Sequence, residues 1–379
     1  MHAQGGFAMR SSIALLAVLL LVPSSALMQE KGGEDEFGPY EVVPNWPQPI
    51  PGTEGYTWGS TGGVFAETPD RVWIAQRGML PLPAGATFGV PLQGNATGAK
   101  GQKWQHSIFV VDRNGRLVQS WTQHDKIFAV EGARGPHKIK MNPYDPQKHV
   151  WIMDDNLHQL FKFSYDGKLV QTWGEQLVRG EDERHFGRPT DIDWLPDGTF
   201  FVSDGYTNTR VVKFSPEGKY LMSWGTSSAG KTNPGPNEMH TVHSVAVGRD
   251  RKVYVSDRTN SRIQIFDENG KFLDMWTNIR RPYHILMTRD QHLWVSDGET
   301  HKMLKYDLNG KFLYGWGTFG PMPGRLNGVH QFSVDQENNL YVAEVFNGRA
   351  QKFRPRKGAD PAKLTGQELR YGALWSRTN

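Results

Sequence analysis

A hairpin word in which a turn glycine is followed six residues later by a tryptophan recurs at Gly115 and Trp121, Gly167 and Trp173, Gly218 and Trp224, Gly270 and Trp276, and Gly310 and Trp316. The surrounding words are RNGRLVQSW, YDGKLVQTWG, PEGKYLMSWG, ENGKFLDMWTN and LNGKFLYGWG. Asp-Gly and Asn-Gly favour type I′ hairpin turns, because both central residues take φ > 0. The apolar alternation after each turn describes a half-buried strand. A fixed period constrains a chain more than any local propensity, since a single repeat cannot bury its apolar face alone.

Two further words recur. Upstream of each turn stands VWIMDD, FFVSDG, VYVSDR, LWVSDG or LYVAEV, with its acid thirteen or fourteen residues before the turn glycine where both are present. Each unit opens on GPHKIK, RPTDID, TVHSVAV, RPYHILM or NGVHQFSV. A unit therefore reads strand, turn, strand, turn, strand, hairpin, strand, which is a propeller blade of roughly 40–50 residues.

Five units open at His137, Asp191, His243, His284 and His330. A sixth is assembled from RVWIAQRG (71–78) and SIFVVDRNGRLVQSW (107–121), separated by a Gly/Pro-rich insertion at 79–105. The last unit stops near Phe353 without its hairpin word, and YEVVPNW (40–46) is expected to supply the missing outer strand and close the ring. The expectation is an all-β, six-bladed β-propeller over 38–356, its four-stranded antiparallel blades arranged around a central channel, with a charged tail at 357–379. The 42 Gly, 23 Pro and 12% aromatic residues suit many short strands joined by tight turns.

Residues 9–26, MRSSIALLAVLLLVPSSA, carry a positive flank at Arg10, an apolar core from Ile13 to Val22 and small residues at Ser24, Ser25 and Ala26. This predicts a signal peptide over 1–26 and a secreted or periplasmic protein. The apolar stretch is shorter than the ~20 residues a bilayer requires, so the mature chain is expected off the membrane and, as a closed ring, monomeric. The absence of cysteine excludes disulfides, thiolate metal sites and a lipoprotein signal. The net charge of +4 is spread along the chain, which speaks against nucleic acid as a partner.

The first strand of a propeller blade lines the axis, so equivalent opening positions meet around one ring. Four imidazoles and a carboxylate at those positions suggest a metal, since three His with an open position make a catalytic zinc site. Capping of strand starts is the structural alternative. Arg77, Tyr206 and Arg258 stand just after the second strand on equivalent corners. An Arg there can bind a carboxylate, and a Tyr can act as acid or base. The recurring Asp154, Asp204, Asp257 and Asp297 read as turn-bonding scaffold. So do the N-x-R words at Asn208 and Arg210, Asn260 and Arg262, and Asn347 and Arg349.

These words resemble NHL repeats, and across about 40–353 the chain resembles the peptidyl-α-hydroxyglycine α-amidating lyases. The likeness is densest in PHKIK…DNLHQLFKF, RPTDID…SDGYTNTRVVKFSPEGK and VHSVAV…SDRTNSRIQIF. It implies a six-bladed propeller whose zinc is held by His137, His243 and His330, with His284 as a further candidate. It also implies a catalytic Tyr206 with active-site Arg77 and Arg258. The implied reaction cleaves the C–N bond of a peptidyl-α-hydroxyglycine-like substrate, a small molecule or peptide with a carboxylate, to an amide and glyoxylate. The family has an acid immediately after its third His that helps bind calcium; Gln331 stands there, which counts against calcium. Gly328 replaces a family Met and points to a changed pocket. A metal-dependent lactonase and a non-catalytic NHL scaffold are the rival readings.

Overall fold

The computed structural model describes Met1 and residues 33–86, 88 and 101–368. The signal-peptide reading, part of the 79–105 insertion and the end of the C-terminal tail lie outside them. The described chain folds into six antiparallel blades around one channel. The first comprises Thr61–Thr68, Arg71–Gln76, Ile108–Val111 and Leu117–Ser120. The second to fourth open with Lys138–Met141, Pro189–Trp194 and Val242–Val247, the fifth and sixth with Pro282–Met287 and Val329–Val334. Each opening strand is buried along almost its whole length against the channel and its neighbours.

The ring closes as the pattern requires: Tyr40–Val42 pairs antiparallel with Arg349–Pro355 as the outer strand of the sixth blade. Gly33–Asp35 adds a parallel strand outside the fifth, pairing with Phe312–Trp316. No sequence word announced that strand. The tail as far as Glu368 lies against the ring, with Lys305 donating to the Ala362 carbonyl at 2.9 Å and Glu368 bridging Thr288.

The repeated glycine and tryptophan are two halves of one lock, and the lock joins different blades. A Cβ built on Gly167 would lie 2.8 Å from Trp121 of the preceding blade; on Gly218, 2.4 Å from Trp173; on Gly270, 2.8 Å from Trp224; on Gly310, 2.6 Å from Trp276. Gly38 against Trp316 (2.5 Å) and Gly115 against Trp46 (2.9 Å) complete the circle. Each turn glycine thus serves twice, giving the positive φ of the turn and clearing the surface on which the preceding indole lies.

One irregularity positions the site. In the first, third, fourth, fifth and sixth blades the pairing of the opening strand slips by one residue, between Thr61 and Gly63, Pro189 and Asp191, Val242 and Ser244, Pro282 and His284, and Val329 and Gln331. In the second, His137 N–H reaches the Met153 carbonyl while Lys138 pairs with the same residue. Such a bulge sets two residues against one and re-aims side chains. Here it forms two rings, stacked one residue apart. The upper holds Gly62, His137, Thr190, His243, Tyr283 and His330; the lower holds Gly63, Lys138, Asp191, Ser244, His284 and Gln331.

Candidate active site at the upper ring

The five unit openers are therefore not equivalent. His137, His243 and His330 are bulge residues of alternate blades and share one ring, whereas Asp191 and His284 lie one residue further on, in the ring below. The three upper histidines are buried, and each offers a ligand nitrogen within 4.8 Å of the other two. Their Nδ1 atoms face the bulge carbonyls of the next blades: His137 to Thr190 O at 2.8 Å, His243 to Tyr283 O at 2.5 Å and His330 to Gly62 O at 2.8 Å. A carbonyl only accepts, so each Nδ1 carries the proton and each Nε2 keeps its lone pair. Burial first, then the charges of neighbouring histidines and arginines, hold all three well below the ordinary histidine range. Three neutral nitrogens aimed at one point, with their tautomers fixed from behind, are what a zinc-type cation requires. No carboxylate belongs to this cluster, so oxygen-loving calcium does not fit it.

Tyr206 projects into the same space, its hydroxyl 3.2 Å from His137 Nε2 and 2.8 Å from His243 Nε2. Gly205 makes this possible: a Cβ there would lie 1.6 Å from the Val242 carbonyl of the next blade, so only glycine lets the chain lean across. Arg258 Nη1 approaches the Tyr206 hydroxyl at 3.4 Å. Arg77 is buried with Nε 3.3 Å from the Pro136 carbonyl, and one of its Nη atoms has no partner among the described residues. The insertion packs on this corner, where Gln102 donates to the Arg77 carbonyl at 2.7 Å.

Three residues at this mouth escaped the sequence reading. Arg188 stacks on the Tyr206 ring, 4.4 Å from guanidinium carbon to ring centroid, and Arg134 lies 5.3 Å from it. Both bind Asp155, which is fully buried on the corner equivalent to those of Arg77 and Arg258. Burial works to raise the Asp155 carboxyl, but Arg134 and Arg188 hold it below the usual carboxylate range. Beside it Asp154 is pushed up to about 7, by burial and then by the Asp155 charge. Arg134 and Arg188 thus share one ionised carboxylate, and Arg77 and Arg258 stand on the neighbouring corners, leaving an excess of positive charge among these groups. The remaining repeated acids are scaffold: Arg210, Arg262 and Arg349 pair with Asp204, Asp257 and Glu344 through their Nε atoms.

The NHL repeat family model matches residues 240–266. Over 173 residues, 44% of this chain and 16% of its own, the mouse peptidyl-glycine alpha-amidating monooxygenase is 40% identical. The peptidyl-alpha-hydroxyglycine alpha-amidating lyase 1 of Drosophila melanogaster is 34% identical over 151 residues, 38% of this chain and 27% of its own. The chain is a six-bladed propeller that carries an NHL repeat at 240–266 and is similar over part of its length to the amidating lyases. It aligns with well under half the length of these relatives. A streptogramin B lyase structure superposes with a TM-score of 0.52 at 13% identity, covering 79% of this chain and 94% of that one; at this identity the likeness concerns the fold alone. Among the described residues no helix is long and apolar enough to cross a membrane.

Proposed function

We propose that this NHL propeller is an exported, zinc-dependent lyase that cleaves a peptidyl-α-hydroxyglycine-like substrate to an amide and glyoxylate. The observation that carries the reading is the convergence of three Nε2 atoms with the Tyr206 hydroxyl, under a mouth with an excess of arginine. The relatives named as amidating lyases support it. His137, His243 and His330 would hold the zinc, which when bound supplies Lewis-acid polarisation of a substrate oxygen.

The chain's own groups do the rest. Arg258 and Arg77 bind the substrate carboxylate, Arg77 through its unpartnered Nη. Tyr206, as its phenolate, accepts the proton of the α-hydroxyl. The O–H electron pair becomes the second bond of the glyoxylate carbonyl. The C–N pair leaves with the amide nitrogen, which takes up the proton from the phenol so formed. Arg134 and Arg188 hold Tyr206 by its ring face and Asp155 by its carboxylate, so the phenol stays over the histidines.

The test is release of glyoxylate from α-hydroxyhippurate by the purified protein. Release is expected to stop with a chelator and to return with zinc. A zinc-loaded protein that releases none above buffer, yet opens lactones, replaces this reading with a lactonase. One that does neither but retains a protein partner replaces it with a scaffold.

A further inference from the structure

Beyond the lower ring, at the mouth opposite the histidine cluster, the channel opens into a cavity of about 190 Å3. By area its walls are mainly apolar, formed by Phe65, Met141, Leu286, Met287 and Phe332 from the opening strands of different blades, with charged residues such as Lys140, Asp193 and Glu368 also lining it. A dry cavity of about 150 Å3 with apolar walls is enough to hold benzene. His284 belongs to the wall, is fully buried, and its Nε2 has no hydrogen-bond partner among the described residues. Trp194 also lines the cavity with an unpaired indole N–H, but tryptophans of other blades share that feature, so the argument rests on His284.

The tautomer of His284 follows from its neighbours. Lys138 Nζ has three protons and three partners: Asp191 Oδ2 at 2.9 Å, the His243 carbonyl at 3.2 Å and His284 Nδ1 at 3.1 Å. The Ser244 hydroxyl proton goes to Asp191. Asp191 Oδ2 also lies 3.3 Å from His284 Nδ1, but it already accepts from Lys138 and Ser244 at shorter range. All three ammonium protons are used only if His284 Nδ1 accepts, and Nε2 then carries the ring's proton. A fully buried N–H donor without an acceptor among the described residues, on the wall of a cavity, marks a place where a ligand atom fits.

We propose that this second mouth binds a small, mainly apolar molecule whose carbonyl oxygen accepts from His284 Nε2. The site is separate from the upper ring, because Lys138, Asp191 and Ser244 fill the layer between them. Its volume and apolar area match a ring-sized ligand with a single acceptor, such as an aromatic or alicyclic ketone or ester.

The experiment uses acetophenone and ethylbenzene, which have nearly the same shape but only one of which carries an acceptor. Binding to the full-length protein is read by ligand-observed NMR titration. Acetophenone is expected to bind once per chain and about tenfold more tightly than ethylbenzene, the worth of one buried hydrogen bond. In His284→Leu the two affinities should become equal. Leu286→Trp, which fills the cavity from another wall, should abolish binding of both while the protein stays folded by circular dichroism and glyoxylate release is unchanged. No binding of either probe to folded protein, equal binding of both to the unaltered chain, or undiminished binding in Leu286→Trp overturns the proposal. Should His284→Leu fail to fold, the probe pair and Leu286→Trp still decide it. Because the readout is binding, failure here is distinct from failure of the lyase reading.

Discussion

His137 and Lys138 are neighbours in sequence, both fully buried and both facing the channel, yet their polar atoms are treated in opposite ways. In the upper ring each histidine is tied from behind by one carbonyl, and its remaining nitrogen is left for a ligand. In the lower ring the charges consume one another: Lys138 and Lys140 both bind Asp191, and Gln331 closes both its amide groups on the backbone of Ile139. Burial alone therefore does not separate a site from a scaffold. What separates them is whether the buried polar atoms have partners within the chain. His284 is the exception in the lower ring, which is why it points to a ligand.

The sharpest way to break this comparison is to remove the upper ring's proton acceptor. Tyr206→Phe is expected to keep the fold and the metal, read by elemental analysis, and to lower the turnover of α-hydroxyhippurate by about 10²–10⁴-fold, the usual worth of a proton-transfer group. A variant that turns over normally would show Tyr206 to be packing against the histidines and nothing more. His243→Ala should lose metal as well as rate.

In the lower ring the effect should fall on stability. Lys138→Met leaves Asp191, which is fully buried and held well below the usual carboxylate range, with Lys140 as its one remaining cation. Breaking one partner of a buried pair costs about 3–5 kcal/mol. Urea unfolding should show that loss, and adding Asp191→Asn to the variant should restore part of it. A Lys138→Met protein as stable as the unaltered chain would mean that the ammonium is not needed there.

The sequence carried the ring of blades almost completely, and the reason is physical. Every Gly and Trp of the repeat is fixed by an inter-blade contact, so neither can drift without opening the circle. The three upper histidines were legible because each stands in the opening word of its repeat. Taking His137, Asp191, His243, His284 and His330 as equivalent unit openers mixes the two rings. Aligning the apolar residue that follows the bulge, Ile139, Ile192, Val245, Ile285 and Phe332, separates the two rings and needs nothing beyond the sequence. Arg134 and Arg188 were passed over because they precede the units, in ARGPH and GRPTD. An arginine just before a proline at a strand entry is a weak signal, and only the fold brings the two onto Tyr206. Asp155 was hidden beside the repeated Asp154. What marks it is that the equivalent corners carry Arg77 and Arg258.

A smaller effect separates two adjacent residues of one strand. His330 should be needed for metal, whereas Gln331→Met should leave metal and rate intact and cost about 2 kcal/mol. That is the loss expected when the buried N–H and carbonyl of Ile139 lose their partners at 3.2 and 2.7 Å. Loss of zinc in Gln331→Met would join the two rings into one site.

The smallest expected difference concerns pH. A histidine in the unfolded chain takes a proton near 6.5. Folded His284 is pushed down to about 3, by burial and then by the Lys138 charge. The unfolded state therefore binds more protons below pH 6.5, and stability must fall as pH falls. The His284 contribution is fully present above 6.5 and is lost progressively toward 3. His137, His243 and His330 act in the same direction, so the total slope cannot be assigned to one residue. The difference between the unaltered chain and His284→Gln can be, because the upper ring cancels. Urea unfolding at pH 6.5 and 5.5 should show the unaltered chain losing about 1 kcal/mol more than the variant. Equal losses would mean that His284 binds a proton in the folded state, and its Nδ1 could then no longer accept from Lys138.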